Sequence, residues 1–309
     1  MKKIGKLFAL VLALALALSL AACSSGGSNE TQSPESEAPG TTQPAGDSTD
    51  APTGDPEDPA TDAPAGDPVT ITVGATPVPH VEILEKVKEI LAEQNITLEI
   101  KEFTDYVQPD NAVEDGSLDA NYFQHITYME GFNAERGTHL VNAAGIHYEP
   151  LGLYAGMTAS VADLPDGAKI AVPNDATNEA RALLLLEQEG LIKLKDGVSL
   201  SATKSDVEEN PHNFEFVEME ARLTPTVLQD VDMAVVNGNY AIDAGLKIAD
   251  ALAVESAEGD AAEAYVNVVA VKEGNENSEG IQALIKCLKS DEVKSFIEET
   301  YEGAVVPLF

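Results

Sequence analysis

The sequence is short of cations, of cysteines and of long apolar runs, and each shortage removes a class of protein. Eighteen Lys and Arg stand against 53 Asp and Glu, for a formal charge of −35. A field of that sign repels phosphate backbones and anionic headgroups, so nucleic acid is excluded as a partner. A zwitterionic small molecule is not excluded, because its net charge is near zero and specific groups can meet its two ends. With only Cys23 and Cys287, there is no disulfide framework. The longest apolar run, 7–20, falls short of the roughly 20 residues of a spanning helix. No HExxH, no Gly-x-Ser-x-Gly elbow and no phosphate loop occurs, and His80, His125, His139, His147 and His212 are scattered. The reading is therefore not an enzyme, with no cofactor and no metal site. A metal-capture protein stays as a rival, since those histidines accompany many acids.

What is present begins with an export leader over 1–22: Lys2, Lys3 and Lys6, then the apolar run, then small residues. Leu20-Ala21-Ala22-Cys23 resembles a bacterial lipobox, in which the cysteine thiol receives a diacylglycerol and becomes the first residue of the mature chain. One acyl chain anchors only marginally, so a second on the new N-terminus is expected. The protein would then touch the membrane, on its extracytoplasmic face, through this lipid. The stretch 23–68 reads as a tether. After Cys23 it holds ten acids, no Lys or Arg, and almost no apolar side chain among its Ser, Thr, Pro, Gly and Ala, and it cannot bury enough surface to fold. As a coil of about 45 residues it spans on the order of 35–40 Å. Setting aside three cations in the leader and ten acids in the tether leaves −28 of the −35 on 69–309.

That remainder, about 240 residues, is long for one core and suits two lobes. It holds no internal repeat. Short β-branched runs alternate with helical patterns: strands are expected at 69–73, 98–103, 118–123, 169–173, 214–217, 233–236 and 265–271, and helices from about 80, over 178–188, and in two segments parted at 290–291. Such alternation predicts α/β layers. In 281–288 apolar residues recur at helical spacing, which makes Cys287 a packing residue.

The runs Val73-Gly74-Ala75-Thr76-Pro77-Val78-Pro79-His80, Phe103-Thr104-Asp105-Tyr106-Val107-Gln108-Pro109 and Asp119-Ala120-Asn121-Tyr122-Phe123-Gln124-His125 closely resemble the MetQ/NlpA family of methionine-binding lipoproteins. Further similarity lies in Pro173-Asn174-Asp175, Thr177-Asn178-Glu179, 181–185, Val236-Asn237-Gly238-Asn239-Tyr240-Ala241 and Gly303-Ala304-Val305-Val306-Pro307, and it spans essentially all of 69–309. The resemblance implies a type II periplasmic-binding-protein fold: two α/β lobes joined by two crossing segments, with the ligand cleft between them. Lobe one would use 69–157 and 238–309, and lobe two 158–237. It also implies capture of L-methionine, or of D-methionine or a methionine-containing dipeptide, for the permease of an ABC importer. Two features depart from the family pattern. Ala176 and Ala180 stand where relatives commonly have Pro and Gly, and Arg222 stands where a neutral polar residue is usual.

A free amino acid enclosed in a cleft needs partners at both charged ends. A planar guanidinium suits the carboxylate, and Arg181 is the candidate, in the first turn of its expected helix with Asn178 on the same face. The residues alone leave open a solvated arginine paired to Glu179 or another of the many acids; the resemblance favours the ligand. Strand alternation puts Phe123 and His125 on one face and Tyr122 on the other. Aromatic surfaces suit a thioether, and family likeness adds Tyr106 and Tyr122. Asn237 precedes Gly238 where the chain is expected to recross between lobes; an Asn-Gly turn is the alternative, and the resemblance favours binding. A surface adhesin would need the same reach from the membrane, so the tether does not separate it from an importer component.

Changing Cys23→Ala is expected to leave the protein unprocessed or to release it from membranes, as read by fractionation and N-terminal mass analysis. A processed variant that stays membrane-bound with an unmodified N-terminus overturns the lipobox reading.

Overall fold

The computed structural model describes residues 68–256 and 260–309. The leader, Cys23 and the tether up to residue 67 lie outside the described residues. In chain order, Val69–Ala75 (β1) leads through a helical turn at Pro77–Val81 into Glu82–Ala92 (α1), followed by Ile96–Glu102 (β2), Gln108–Glu114 (α2), Ala120–His125 (β3), Ile126–Arg136 (α3) and Leu140–Tyr148 (β4). Next come Gly152–Ala155 (β5), Lys169–Pro173 (β6), Ala176–Gln188 (α4), Lys193–Leu194 (β7), Val207–Glu209 (β8), Glu215–Met219 (β9) and Met233–Val236 (β10). Gly238–Asp243 (α5), Ala253–Val254 (β11), Asp260–Ala264 (α6), Val266–Lys272 (β12), Glu279–Leu288 (α7), Asp291–Tyr301 (α8) and Val306–Pro307 (β13) complete the chain.

Two mixed sheets organise these elements. The first runs β13-β4-β12-β3-β1-β2 and the second β11-β5-β10-β6-β9, with β7 and β8 paired separately. β1 is parallel to β2 and β3, as short helical crossovers require, whereas β12 is antiparallel to β3 and β4. In β1 the buried Ile71, Val73 and Ala75 alternate along the strand. The first core joins them to Leu84, Val87 and Leu91 of α1, Leu284 and Leu288 of α7, and Ile297 of α8. Cys287 is buried in the same core, 3% exposed, with the Gln94 amide donating to its sulfur at 3.3 Å. The second core places Leu183 and Leu186 of α4 against Ile170 and Val172 of β6 and Met233 and Val235 of β10.

Hydrogen bonding draws the lobes differently from the sequence division at two places. β5 was expected within lobe one but pairs antiparallel with β10 in the second sheet. After β10 the chain does not simply return at 238: α5 contributes Tyr240 and Ala241 to a cluster with β10 residues and Ile242 to the first core, and β11 then pairs with β5. Leu252 and Glu255 donate their N–H groups to Leu153 and Leu151, so the backbone is satisfied in the second sheet up to 255. Crossings therefore fall at 149–151 and beyond 255.

α4 begins two residues earlier than expected. The Asp175 carboxylate caps it by accepting from Asn178 N at 3.0 Å. Arg181 consequently lies in the second turn, and the expected help from first-turn N–H groups does not reach it. Leu183 has no exposed surface, and Leu183→Ala is expected to cost about 2–5 kcal/mol of unfolding free energy in a denaturant titration. A loss below about 1 kcal/mol would show that α4 does not depend on this core.

Candidate functional site

Between the sheets lies a narrow cavity of about 20 Å³, somewhat above the roughly 10–15 Å³ that one water occupies. Six of the seven side chains expected in a binding site line it: Tyr106 before α2, Phe123 and His125 on β3, Asn178 and Arg181 on α4, and Asn237 after β10. Tyr122 does not. Phe123, Gln124 and His125 of β3 line the cavity, whereas Tyr122 packs into the first core, fully buried, with its hydroxyl 2.5 Å from His147 Nδ1. A second cavity of about 560 Å³ opens outward; Tyr106 and Tyr128 line both, and Tyr106 stacks on Tyr240 at 4.9 Å. Arg222 lines only this outer space and pairs with Glu220 at 2.7 Å.

The inner walls are joined by hydrogen bonds whose direction the geometry dictates. His125 Nδ1 accepts from Tyr128 N at 3.0 Å, so its proton sits on Nε2, which donates to Asn178 Oδ1 at 3.2 Å. Asn237 Nδ2 donates to that same oxygen at 2.8 Å, and Asn178 Nδ2 donates to Asp175. Burial, with Arg181 nearby, lowers the His125 pKa to about 3, so the ring is neutral. Asn237 Oδ1 is buried without a partner, an expensive condition for an amide oxygen.

Arg181 is 4% exposed, which removes the solvated-arginine reading. Its acid partner is Glu255, not Glu179: Nε lies 2.8 and 2.9 Å from the two carboxylate oxygens and Nη2 lies 2.6 Å from Oε2. Nη2 also donates to the Glu149 backbone carbonyl at 2.6 Å. The Tyr265 ring lies under the guanidinium, 4.3 Å away. None of these bonds uses Nη1.

Sequence reasoning missed Glu149 and the two histidines behind it. Glu149 lines the cavity on the first crossing segment; its Oε1 lies 2.7 Å from His147 Nε2 and 3.3 Å from His80 Nε2. The available signal was the spacing His147-x-Glu149, which puts both on one side of an extended chain. Burial pushes the Glu149 carboxyl up, while His80, Arg181 and the Asn239 N–H pull it back. Ligand atoms of His80, His147 and Glu149 lie within 4.8 Å of one another, the spacing a metal could use. Here His147 Nε2 is hydrogen-bonded to the carboxylate and His80 Nε2 to Asn267 Oδ1, so the ring nitrogens that a metal would need already have partners.

Residues 71–309 match the family model described as NlpA lipoprotein. The membrane lipoprotein TpN32 of Treponema pallidum (strain Nichols) is 45% identical over 238 residues, 77% of this chain and 87% of the relative. The methionine-binding lipoprotein MetQ of Bacillus subtilis (strain 168) is 41% identical over 243 residues, 77% and 88% of the two chains. A solved nutrient-binding protein from Burkholderia cenocepacia, bound to methionine, superposes with a TM-score of 0.74 at 40% identity, covering 77% of this chain and all of that one. The two-lobed architecture is thus that of the periplasmic substrate-binding proteins. Among the described residues no helix is long and apolar enough to cross a membrane.

Burial also lowers the pKa of His80 to about 4 and of His147 to about 3. The ring signals of His80, His125 and His147, assigned by single substitution, are expected to stay at their neutral-imidazole positions from pH 8 down to 5.5 in two-dimensional NMR. Titration of all three near pH 6.5 would contradict the buried, neutral geometry.

Proposed function

The chain belongs to the NlpA lipoprotein family, and from that premise we propose that it captures L-methionine in the cavity between its lobes and delivers it to the permease of an ABC importer. The observation that carries the reading is Asn237 Oδ1, a buried acceptor without a partner in a cavity that also holds a carboxylate and an arginine. An α-ammonium supplies the missing donor, with Glu149 as its counter-charge. The free Nη1 edge of Arg181 serves the α-carboxylate; Glu255 holds the guanidinium in place rather than competing for that edge. Phe123 and Tyr106, with ring centroids 5.6 Å apart, form the side-chain wall, where sulfur–aromatic contacts are worth about 0.3–1.5 kcal/mol each.

A cavity of about 20 Å³ does not admit methionine without movement, so uptake requires the lobes to part and reclose around it. The leader and lipobox support an extracytoplasmic protein held to the membrane by lipid on Cys23, with the tether giving the lobes reach to the permease. The outer cavity, which shares Tyr106 and Tyr128 with the inner one, supports a methionine-containing dipeptide as the second reading. Mass spectrometry of ligand retained by the purified soluble domain separates the two.

Methionine is expected to raise the melting temperature, and glutamate to leave it unmoved, because among the inner-cavity residues Arg181 is the only cation and a second buried carboxylate goes unmatched. Asn237→Ala should weaken methionine binding by about 1.5–3 kcal/mol, the range for a hydrogen bond to a charged group. This variant is a cleaner test than Arg181→Ala, which also strands Glu255. Stabilisation by glutamate, a sugar or a metal ion with no response to methionine overturns the proposal.

A further inference from the structure

Building on the methionine reading, we propose that His80 and His147 are positioning residues that hold Glu149 as a carboxylate aimed at the ligand ammonium. Neither ring lines the cavity, and both are wholly buried, so neither touches the ligand. Each reaches Glu149 from a different element: His80 from the turn after β1, His147 from β4.

The polarity of the chain of bonds follows from its ends. His80 Nε2 faces Asn267 Oδ1 at 3.2 Å and Glu149 Oε1 at 3.3 Å. Both are acceptors, so the nitrogen carries the proton and Nδ1 accepts from Thr76 Oγ1 at 2.9 Å. His147 Nε2 faces Glu149 Oε1 at 2.7 Å while its Nδ1 accepts from the Tyr122 hydroxyl at 2.5 Å. This gives Tyr122, the one expected site residue that misses the cavity, a link to it through His147 and Glu149. The His147 N–H thus bonds one carboxylate oxygen, the His80 N–H, bonded to Asn267, lies 3.3 Å from that same oxygen, and the backbone N–H of Asn239 adds a further donor.

Neutral donors suit this task better than a cation. A carboxylate buried without donors takes up a proton and ceases to attract an ammonium. A lysine or arginine against it would keep it ionised but cancel its charge and repel the ligand. Two neutral imidazoles stabilise the anion and leave its charge uncancelled. The other titratable groups facing Glu149 are Arg181 of α4, Tyr106 before α2, Tyr122 of β3 and Tyr301 of α8. Only Arg181 is charged near neutral pH, and it bonds the Glu149 backbone oxygen rather than the carboxylate.

The test compares methionine with 4-(methylthio)butanoate, which lacks only the amino group, by calorimetry on the folded protein. Wild type should prefer methionine strongly. Glu149→Gln and His147→Phe should each cut that preference about tenfold or more, and the His147→Phe deficit should shrink between pH 6 and 8.5 as Glu149 regains its charge. His147→Gln, whose amide can still donate, should keep most of the preference. Adding His147→Phe to Glu149→Gln should change the preference no further. Should the phenylalanine variant fail to fold, the Glu149 carboxyl carbon in wild-type protein, followed by NMR, must read as ionised at pH 7. A folded His147→Phe that loses affinity for both ligands equally, or a protonated wild-type Glu149 at pH 7, overturns the inference alone. Wild type that ignores methionine overturns it together with the binding proposal.

Discussion

Burying Glu149 at the junction of the lobes constrains much of what surrounds it. An uncompensated carboxylate in such a place costs several kcal/mol, and segments far apart in sequence converge to meet that cost: the turn at Pro77–Val81, the end of β4 and the start of α5. Gly238 belongs to the same constraint, since a Cβ there would lie 2.8 Å from Glu149 Cβ and 3.2 Å from its Oε2. Arg181, the nearest charge of opposite sign, is turned away from neutralising it. Its guanidinium is committed to Glu255 and touches Glu149 only at the backbone. The cavity thereby keeps a carboxyl group and a guanidinium apart in a low-dielectric space, which on the reading proposed above favours a zwitterion over either single charge.

Much of this was legible in the sequence where a local pattern coincides with a tertiary role. The expected strands over 169–173 and 233–236 are β6 and β10, because buried central strands read as continuous apolar runs. The expected strand starting at 118 begins instead at Ala120, yet the alternation of Tyr122 against Phe123 and His125 holds, since a period of two survives a shift of the strand's ends. The nine-residue β4 went unread: Asn142, Gly145 and a run of alanines dilute its apolar signal, and β12 beside it supplies the stability that its own propensities lack. With β4 went His147, and with it the geometry that makes Glu149 comprehensible.

The interlobe boundary was the least legible feature, for a reason specific to this topology. Asn237 and Gly238 look like a crossing point, being a polar turn after an apolar strand. Whether such a turn ends a lobe depends on what pairs afterwards, and β11 is only two residues long, too short to leave a sequence pattern. The partner of Arg181 was hidden for the same reason, since Glu255 directly follows β11 and reaches the guanidinium only because β11 pairs with β5.

The closed cavity also bears on how affinity arises. His125 on β3 and Asn178 on α4 bond across the lobes, and the Thr177 methyl lies 3.1 Å from where a Cβ on Gly131 would stand, so a side chain at 131 would crowd the approach of α3 to α4. These contacts join the two lobes directly. A ligand shifts the equilibrium between open and closed lobes only by its differential affinity for the two. Asn237 Oδ1, buried without a partner, is the acceptor on which that differential affinity can act. On the reading proposed above, a ligand that brings an ammonium meets that oxygen, and one that lacks it leaves the acceptor unsatisfied.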